Sequence, residues 1–387
     1  MKAIGETKTL SPTFSMCYGM APFSDRLKQL ERRLTDNGAS GAIIGTGPNA
    51  RYFTGFSGER NRHLLFLVTA DSERSFFSPK QYAGQVRKNS RVGEVRSVSC
   101  NTIDAVVSTL VERLPDRNGQ YFVDGGMPAE EAYRLERALP DATFTLLDEI
   151  VMSMRSIKDK TERDALRNAA AKTDQVSRTI RELGDDVIGL TERELAVEIR
   201  SQLHEQGAER MAFPVVVAAG PNGAHPTQHR HGDRQIEKDE PVVLDFGGFF
   251  DGYASDQTRT VVFDGDPLDK FVEAHRIVRA ALKAGVEAAQ PGMTASELDS
   301  IVRDVVVDHG YGDEFITGTG HGVGLQAHEP PSISAGSDAV LESGMVFSIE
   351  PGIYVEGEFG VRLETLMILT EDGSEMINDS PYTWRPL

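Results

Sequence analysis

Asp245 and Asp256 lie in Pro241–Phe263, PVVLDFGGFFDGYASDQTRTVVF, on what reads as two arms of one hairpin. Val242, Val243 and Leu244 flank the first acid, and Thr258, Thr260, Val261, Val262 and Phe263 follow the second; these are β-formers, with a turn signal at Asp251-Gly252 between them. Either Asp alone could be a buried carboxylate satisfied by backbone donors. Two on facing arms repel unless something positive sits between them. A second pair, Glu350 and Glu364, flanks a turn near Glu356-Gly357 in SGMVFSIEPGIYVEGEFGVRLETLMILT. Four carboxylates at one place imply about two divalent cations, because ionised carboxylates are too costly to cluster otherwise. His321, in GTGHGVGLQAHEPP, is a fifth candidate ligand. A His between glycines can be an ordinary turn residue, but such glycines also let backbone approach a metal closely, and imidazole suits Zn, Mn or Co.

The elements that must position these residues are duplicated. Gly189-Leu190-Thr191 with Glu194, Leu195, Ile199, Leu203 and Gly207 recurs as Gly292-Met293-Thr294 with Glu297, Leu298, Val302, Val306 and Gly310, at a constant offset of 103. Each copy is a Thr-x-x-Glu capping box that opens an amphipathic helix stopping at a Gly. A glycine-rich stretch and an acid-bearing strand pair follow each helix, so the pattern predicts a pseudo-twofold domain with four acids at its centre. Upstream, TERDALRNAAAKTDQVSRTIREL reads as a long linking helix within 151–183, with Thr161 and Asp164 at its start. Before it, helical periodicity over Ser24–Asn37 and Thr102–Leu114 alternates with strand-like runs at GAIIGTG, His63–Thr69, Ser75–Ser78 and Gln120–Asp124. The organisation expected is an N-terminal extension over 1–22, an α/β domain over 23–155 and the pseudo-twofold, acid-bearing domain over 156–387. The α/β domain gathers no metal-ligand residues and would shape access or pair subunits.

With 387 residues, 39% hydrophobic and 26% charged, the chain is long enough for two cores. A formal net charge of −18 argues against nucleic acid or an anionic membrane as partner. Only 11 of the 41 basic residues are Lys, and an acidic, Arg-preferring surface would suit a high-salt cytoplasm as well as an ordinary solvated one. Cys17 and Cys100 provide neither a disulfide framework nor a thiolate metal site, which fits a cytoplasmic protein. No apolar run is long enough to span a bilayer.

The order Asp245, Asp256, His321, Glu350, Glu364, in the contexts LDFG, SDQTRT, GTGHGVG, SIEPG and VRLET, resembles the pita-bread metallopeptidases: methionine aminopeptidase, aminopeptidase P and prolidase. The likeness covers about residue 155 to the C-terminus. NARYFTGFSG, at 49–58, resembles the creatinase-type domain that precedes the catalytic domain in aminopeptidase P and prolidase and that methionine aminopeptidase lacks.

The resemblance implies an Xaa-Pro aminopeptidase, with the Xaa-Pro dipeptidase (prolidase) as the alternative and proline-containing peptides or dipeptides as substrates. It implies two divalent metals, Mn ahead of Co or Zn, with Asp245 on one, Asp256 and Glu364 bridging both, and His321 and Glu350 completing the shells. A metal-bridging hydroxide would be the nucleophile and Glu350 the proton shuttle. His328, in AHEPP, matches the His that steadies the tetrahedral intermediate, and Arg362 an Arg of the proline-specific members. Arg362 could also be a plain salt bridge to a ligand carboxylate. The family's upstream catalytic His is less plainly placed: AAGPNGAHPTQHRHGDR contains His225, His229 and His231. His229, sixteen residues before Asp245, fits the usual spacing better than His225, twenty before. Spacings of 29 from His321 to Glu350 and 14 from Glu350 to Glu364 resemble the prolidase and short aminopeptidase P branch. A metal-dependent lyase is also known for this fold. Metal-free relatives that act as binding modules, and creatinase itself, have lost ligand residues that are all present here. A homodimer is implied as well.

Overall fold

The computed structural model describes residues 21–58, 63–226 and 232–385. The chain separates into two compact units between Leu147 and Asp148, upstream of the 155/156 boundary expected from the sequence.

The first unit runs α1 (Ala21–Asp36), β1 (Gly41–Ile44), α2 (Pro48–Thr54), β2 (Leu65–Thr69), β3 (Arg74–Pro79), α3 (Lys80–Asn89), β4 (Glu94–Val98), α4 (Ile103–Val111), β5 (Gln120–Val123), α5 (Ala129–Ala138) and β6 (Thr143–Leu146). Its strands form one mixed sheet in the order β4-β3-β2-β1-β5-β6. Leu27, Leu30 and Leu34 of α1, at helical spacing, are fully buried. On α4, Val106 and Leu110 join Leu65, Leu67 and Tyr121 of the sheet in one core. Thr102 caps α4 by accepting from the Ala105 amide.

The second unit opens with α6 (Asp148–Ser156) and α7 (Lys160–Glu182). The long helix expected from Thr161 onward is α7, which starts two residues earlier than a cap at Thr161 suggests, and a separate helix, α6, precedes it. Asp159 is its N-cap and forms a reciprocal capping box with Glu162. Then come α8 (Glu192–Glu205), β7 (Arg210–Met211), β8 (Val216–Ala219), β9 (Val242–Phe246), β10 (Gly248–Phe250), β11 (Tyr253–Ala254) and β12 (Gln257–Val261). The second half repeats the plan with α9 (Asp269–Ala288), α10 (Ala295–Asp308), β13 (Gly320–Gly322), β14 (Glu329–Ile333), β15 (Val346–Ile349), β16 (Gly352–Val355), β17 (Phe359–Arg362), β18 (Thr365–Thr370) and β19 (Gly373–Met376).

Both capping boxes at offset 103 form, Thr191 with Glu194 on α8 and Thr294 with Glu297 on α10. Gly207 and Gly310, just past the two helices, take φ of 92° and 83°, the left-handed backbone that ends a helix at low cost in glycine. Each half has its own core. One unites α7 and α8 with Val217, Leu244, Phe246 and Val261; the other unites α9 and α10 with Phe347, Ile349, Val361 and Met367.

The acid-bearing hairpins lie on these cores. β9 pairs antiparallel with β12, placing Asp245 opposite Thr258, and the smaller hairpin β10–β11 turns at Asp251-Gly252 between them. In the second half β15 pairs with β18, Ile349 opposite Thr365, and β16–β17 is the inserted hairpin. Strand alternation then decides which way the acids face. Val242, Leu244 and Phe246 enter the core under α7 and α8, so Asp245 falls on the opposite face with Val243.

Candidate metal centre

Asp245, Asp256 and Glu364 each bring a carboxylate oxygen within 4.8 Å of the others. They come from the middle of β9, the residue before β12 and the residue before β18, so both halves contribute. His321 Nε2 stands 3.1 Å from Glu350 Oε1 and 3.6 Å from Asp256 Oδ2, joining the remaining two candidates to this cluster. Ser348, two residues before Glu350 on β15, donates to Glu350 Oε1 at 3.0 Å and accepts from the His321 amide at 3.0 Å.

Arg362 is the counter-charge. Its Nη2 pairs with Asp245 Oδ2 at 2.5 Å, its Nε donates to Thr258 Oγ1 at 3.0 Å, and its Nη1 donates to the Tyr354 hydroxyl at 3.1 Å. Thr258 in turn donates to Glu364 Oε2 at 2.8 Å. Behind the candidate ligands, Arg259 is buried and donates to the Glu364 carbonyl at 2.6 Å and the Ser380 carbonyl at 3.0 Å. Thr258 and Arg259 read from sequence only as members of a strand; their polar contacts are to partners 106 and 105 positions away.

Protonation follows from burial and like charge. Burial, then repulsion from Glu350 and Asp245, pushes Glu364 up to about 8. Asp256 is raised well above the usual range by burial and then by Glu364, Asp245 and Glu350. Asp245 is also raised by burial, against the pull of Arg362. Burial opposes ionisation of Glu350 too, but the His321 hydrogen bond and charge overcome it and lower its pKa. For His321, burial is outweighed by Glu350 and the other carboxylates, and its pKa rises to about 9.

Asp245 Oδ1 and Glu364 Oε1 are buried without a hydrogen-bond partner. Unmatched carboxylate oxygens facing like charges are what a divalent cation satisfies, and four carboxylates with one imidazole form a donor set for Mn, Co or Zn. Among the remaining candidates, the His328 ring stacks on that of His321 with centroids 4.0 Å apart, and His328 is exposed. His225 ends the 3-10 turn Gly220–Ala224 and is exposed. His229 and His231 lie outside the described residues.

The profile of metallopeptidase family M24 matches residues 164–371, which hold all five candidate ligands. The chain belongs to this family and is a metallopeptidase. A creatinase/prolidase N-terminal domain matches residues 26–157. The chain is 34% identical over 354 residues to the Xaa-Pro dipeptidase of Lactobacillus delbrueckii subsp. lactis, covering 90% of this chain and 95% of that one. Among solved structures it is similar to the Xaa-Pro dipeptidase from Bacillus anthracis, with TM-score 0.87, 31% identity, and 94% and 100% of the two chains covered. It is also similar to the X-Pro aminopeptidase from Thermotoga maritima, with TM-score 0.81, 29% identity, and 93% and 99% covered. The pita-bread catalytic domain with a creatinase-type N-terminal domain is the architecture the motifs imply.

Proposed function

We propose that the protein is an Xaa-Pro dipeptidase, a prolidase. The reading rests on the near end-to-end likeness to proteins named Xaa-Pro dipeptidase. It reverses the order drawn from the motifs, which put the Xaa-Pro aminopeptidase first. Those motifs surround ligands common to both enzymes, so they do not rank them. The likeness to an X-Pro aminopeptidase keeps that activity as the second reading.

Asp245, Asp256, His321, Glu350 and Glu364 would hold two divalent cations, Mn ahead of Co or Zn, and the unpartnered oxygens of Asp245 and Glu364 support this. When bound, the cations polarise the scissile carbonyl and make water a nucleophile at neutral pH. Glu350 moves the proton from water to the proline nitrogen as the bond breaks. Arg362 pulls against the burial that opposes ionisation of Asp245 and holds its carboxylate in place. His328, exposed beside His321, donates to the carbonyl oxygen as it gains charge. His229 is the proposed upstream catalytic His. A homodimer in the cytoplasm goes with this reading; among the described residues no helix is long and apolar enough to cross a membrane.

The test is an assay of the Mn-loaded protein on an Xaa-Pro dipeptide, an Xaa-Pro-Xaa tripeptide and an Ala-Ala control. The dipeptide should exceed the tripeptide in kcat/KM by about tenfold or more, a difference of ~1.4 kcal/mol in barrier. The opposite ratio would establish the aminopeptidase, and equal cleavage of the control would remove both readings.

A further inference from the structure

The loop from β13 to β14 has His321 near one end and His328 at the other, and the two imidazoles stack. The next residue, Glu329, opens β14 with its side chain 2% exposed. Two cations grip it. Arg155 Nη2, from α6, stands 2.5 Å from Glu329 Oε2, and Lys158 Nζ, between α6 and α7, stands 2.9 Å from Oε1. Arg155 also donates to Gln326 Oε1 at 2.9 Å, inside the same loop. Gly324 closes the remaining side: a Cβ there would lie 2.2 Å from Glu329 Oε1. Burial works against ionisation of Glu329, but Lys158 and then Arg155 overcome it and hold its carboxyl below the usual range.

Charge balance separates what this cluster does from what folding needs. Arg155 and Lys158 put two cations on one buried carboxylate, and Lys158 is itself 1% exposed. Burying a second cation against a single carboxylate costs stability. Its effect is geometric: with one oxygen held, a carboxylate can swing about its own axis, whereas with both held from neighbouring segments its backbone is fixed. The backbone so fixed is that of the residue after His328.

We propose that Arg155 and Lys158, acting through Glu329, are positioning residues for the His321–His328 pair, and that turnover depends on them. The proposal rests on the peptidase reading above for its kinetic consequence. It is tested with Lys158→Met and Lys158→Arg in the full-length, metal-loaded protein, followed by Tm, metal content, kcat and KM on an Xaa-Pro dipeptide, and the His328 Hε1 resonance assigned with His328→Gln. For Lys158→Met we expect a Tm equal to or above that of the wild type and unchanged metal content. Its kcat should fall about 10- to 100-fold, the cost of a misplaced catalytic group, with KM little changed and the resonance shifted. Lys158→Arg should recover most of kcat. A folded, metal-replete Lys158→Met with wild-type kcat and an unshifted resonance would overturn the proposal. So would a lowered Tm with kcat per folded molecule intact, which would make Lys158 purely structural. Should Lys158→Met fail to fold, Gln326→Leu removes only the neutral contact of Arg155 and is read by the same kcat and resonance. A wild type inactive on proline peptides would refute the peptidase reading; the resonance would then decide the positioning role alone.

Discussion

At the scale of single residues, the candidate ligands were legible because each acid sits within or next to a strand among β-formers, in a short context with little other use. Arg155, Lys158 and Glu329 were not legible, since Arg155 and Glu329 meet across 174 positions and charged residues ordinarily read as surface. Buried His275 on α9 was hidden for the same reason, and it makes a prediction about pH. Burial, then Arg279 and Arg181, lowers its pKa from 6.5 to about 4, and its Nε2 has no hydrogen-bond partner. Below pH 6.5 the unfolded chain takes up a proton that the folded chain refuses until about pH 4, so stability falls as the pH drops through this window. Between pH 7 and pH 5 the wild type should lose about 2 kcal/mol more than His275→Gln in urea unfolding. Parallel losses in the two proteins would show that His275 takes up its proton as readily in the folded chain as in the unfolded one.

At the scale of elements, the repeat at offset 103 identified both capping boxes and both hairpins, because caps and strand ends are set by neighbours in sequence. The start of α7 was legible to within two residues, but its cap is Asp159, not Thr161: Asp159 accepts from the Glu162 amide. The separate helix α6 before it was not read. The duplication carries its own prediction. Thr191→Ala and Thr294→Ala remove the same cap from α8 and α10, so each should cost about 1 kcal/mol in urea unfolding. A cap worth nothing in one half would mean that its helix is held by packing alone.

At the scale of the whole molecule, composition indicated two units and an acidic surface, whereas the position of the cut between Leu147 and Asp148 depends on what α6 packs against. A net charge of −18 predicts self-repulsion that salt relieves. The Tm should therefore rise between about 0.05 M and 1 M KCl, as the Debye length shrinks to about 3 Å. A flat Tm would assign the acidic surface to solubility alone. Arg362 and Asp245 are 117 positions apart, and Thr258 and Glu364 are 106 apart. During synthesis the first carboxylate pair thus leaves the ribosome about a hundred residues before the second, roughly five to twenty seconds at ordinary elongation rates. Until the second half is made and the intervening loop closes, Asp245 and Asp256 are only half a cage. On the proposed ligand set, cation capture at the complete centre would therefore come late in maturation, after both halves have been made.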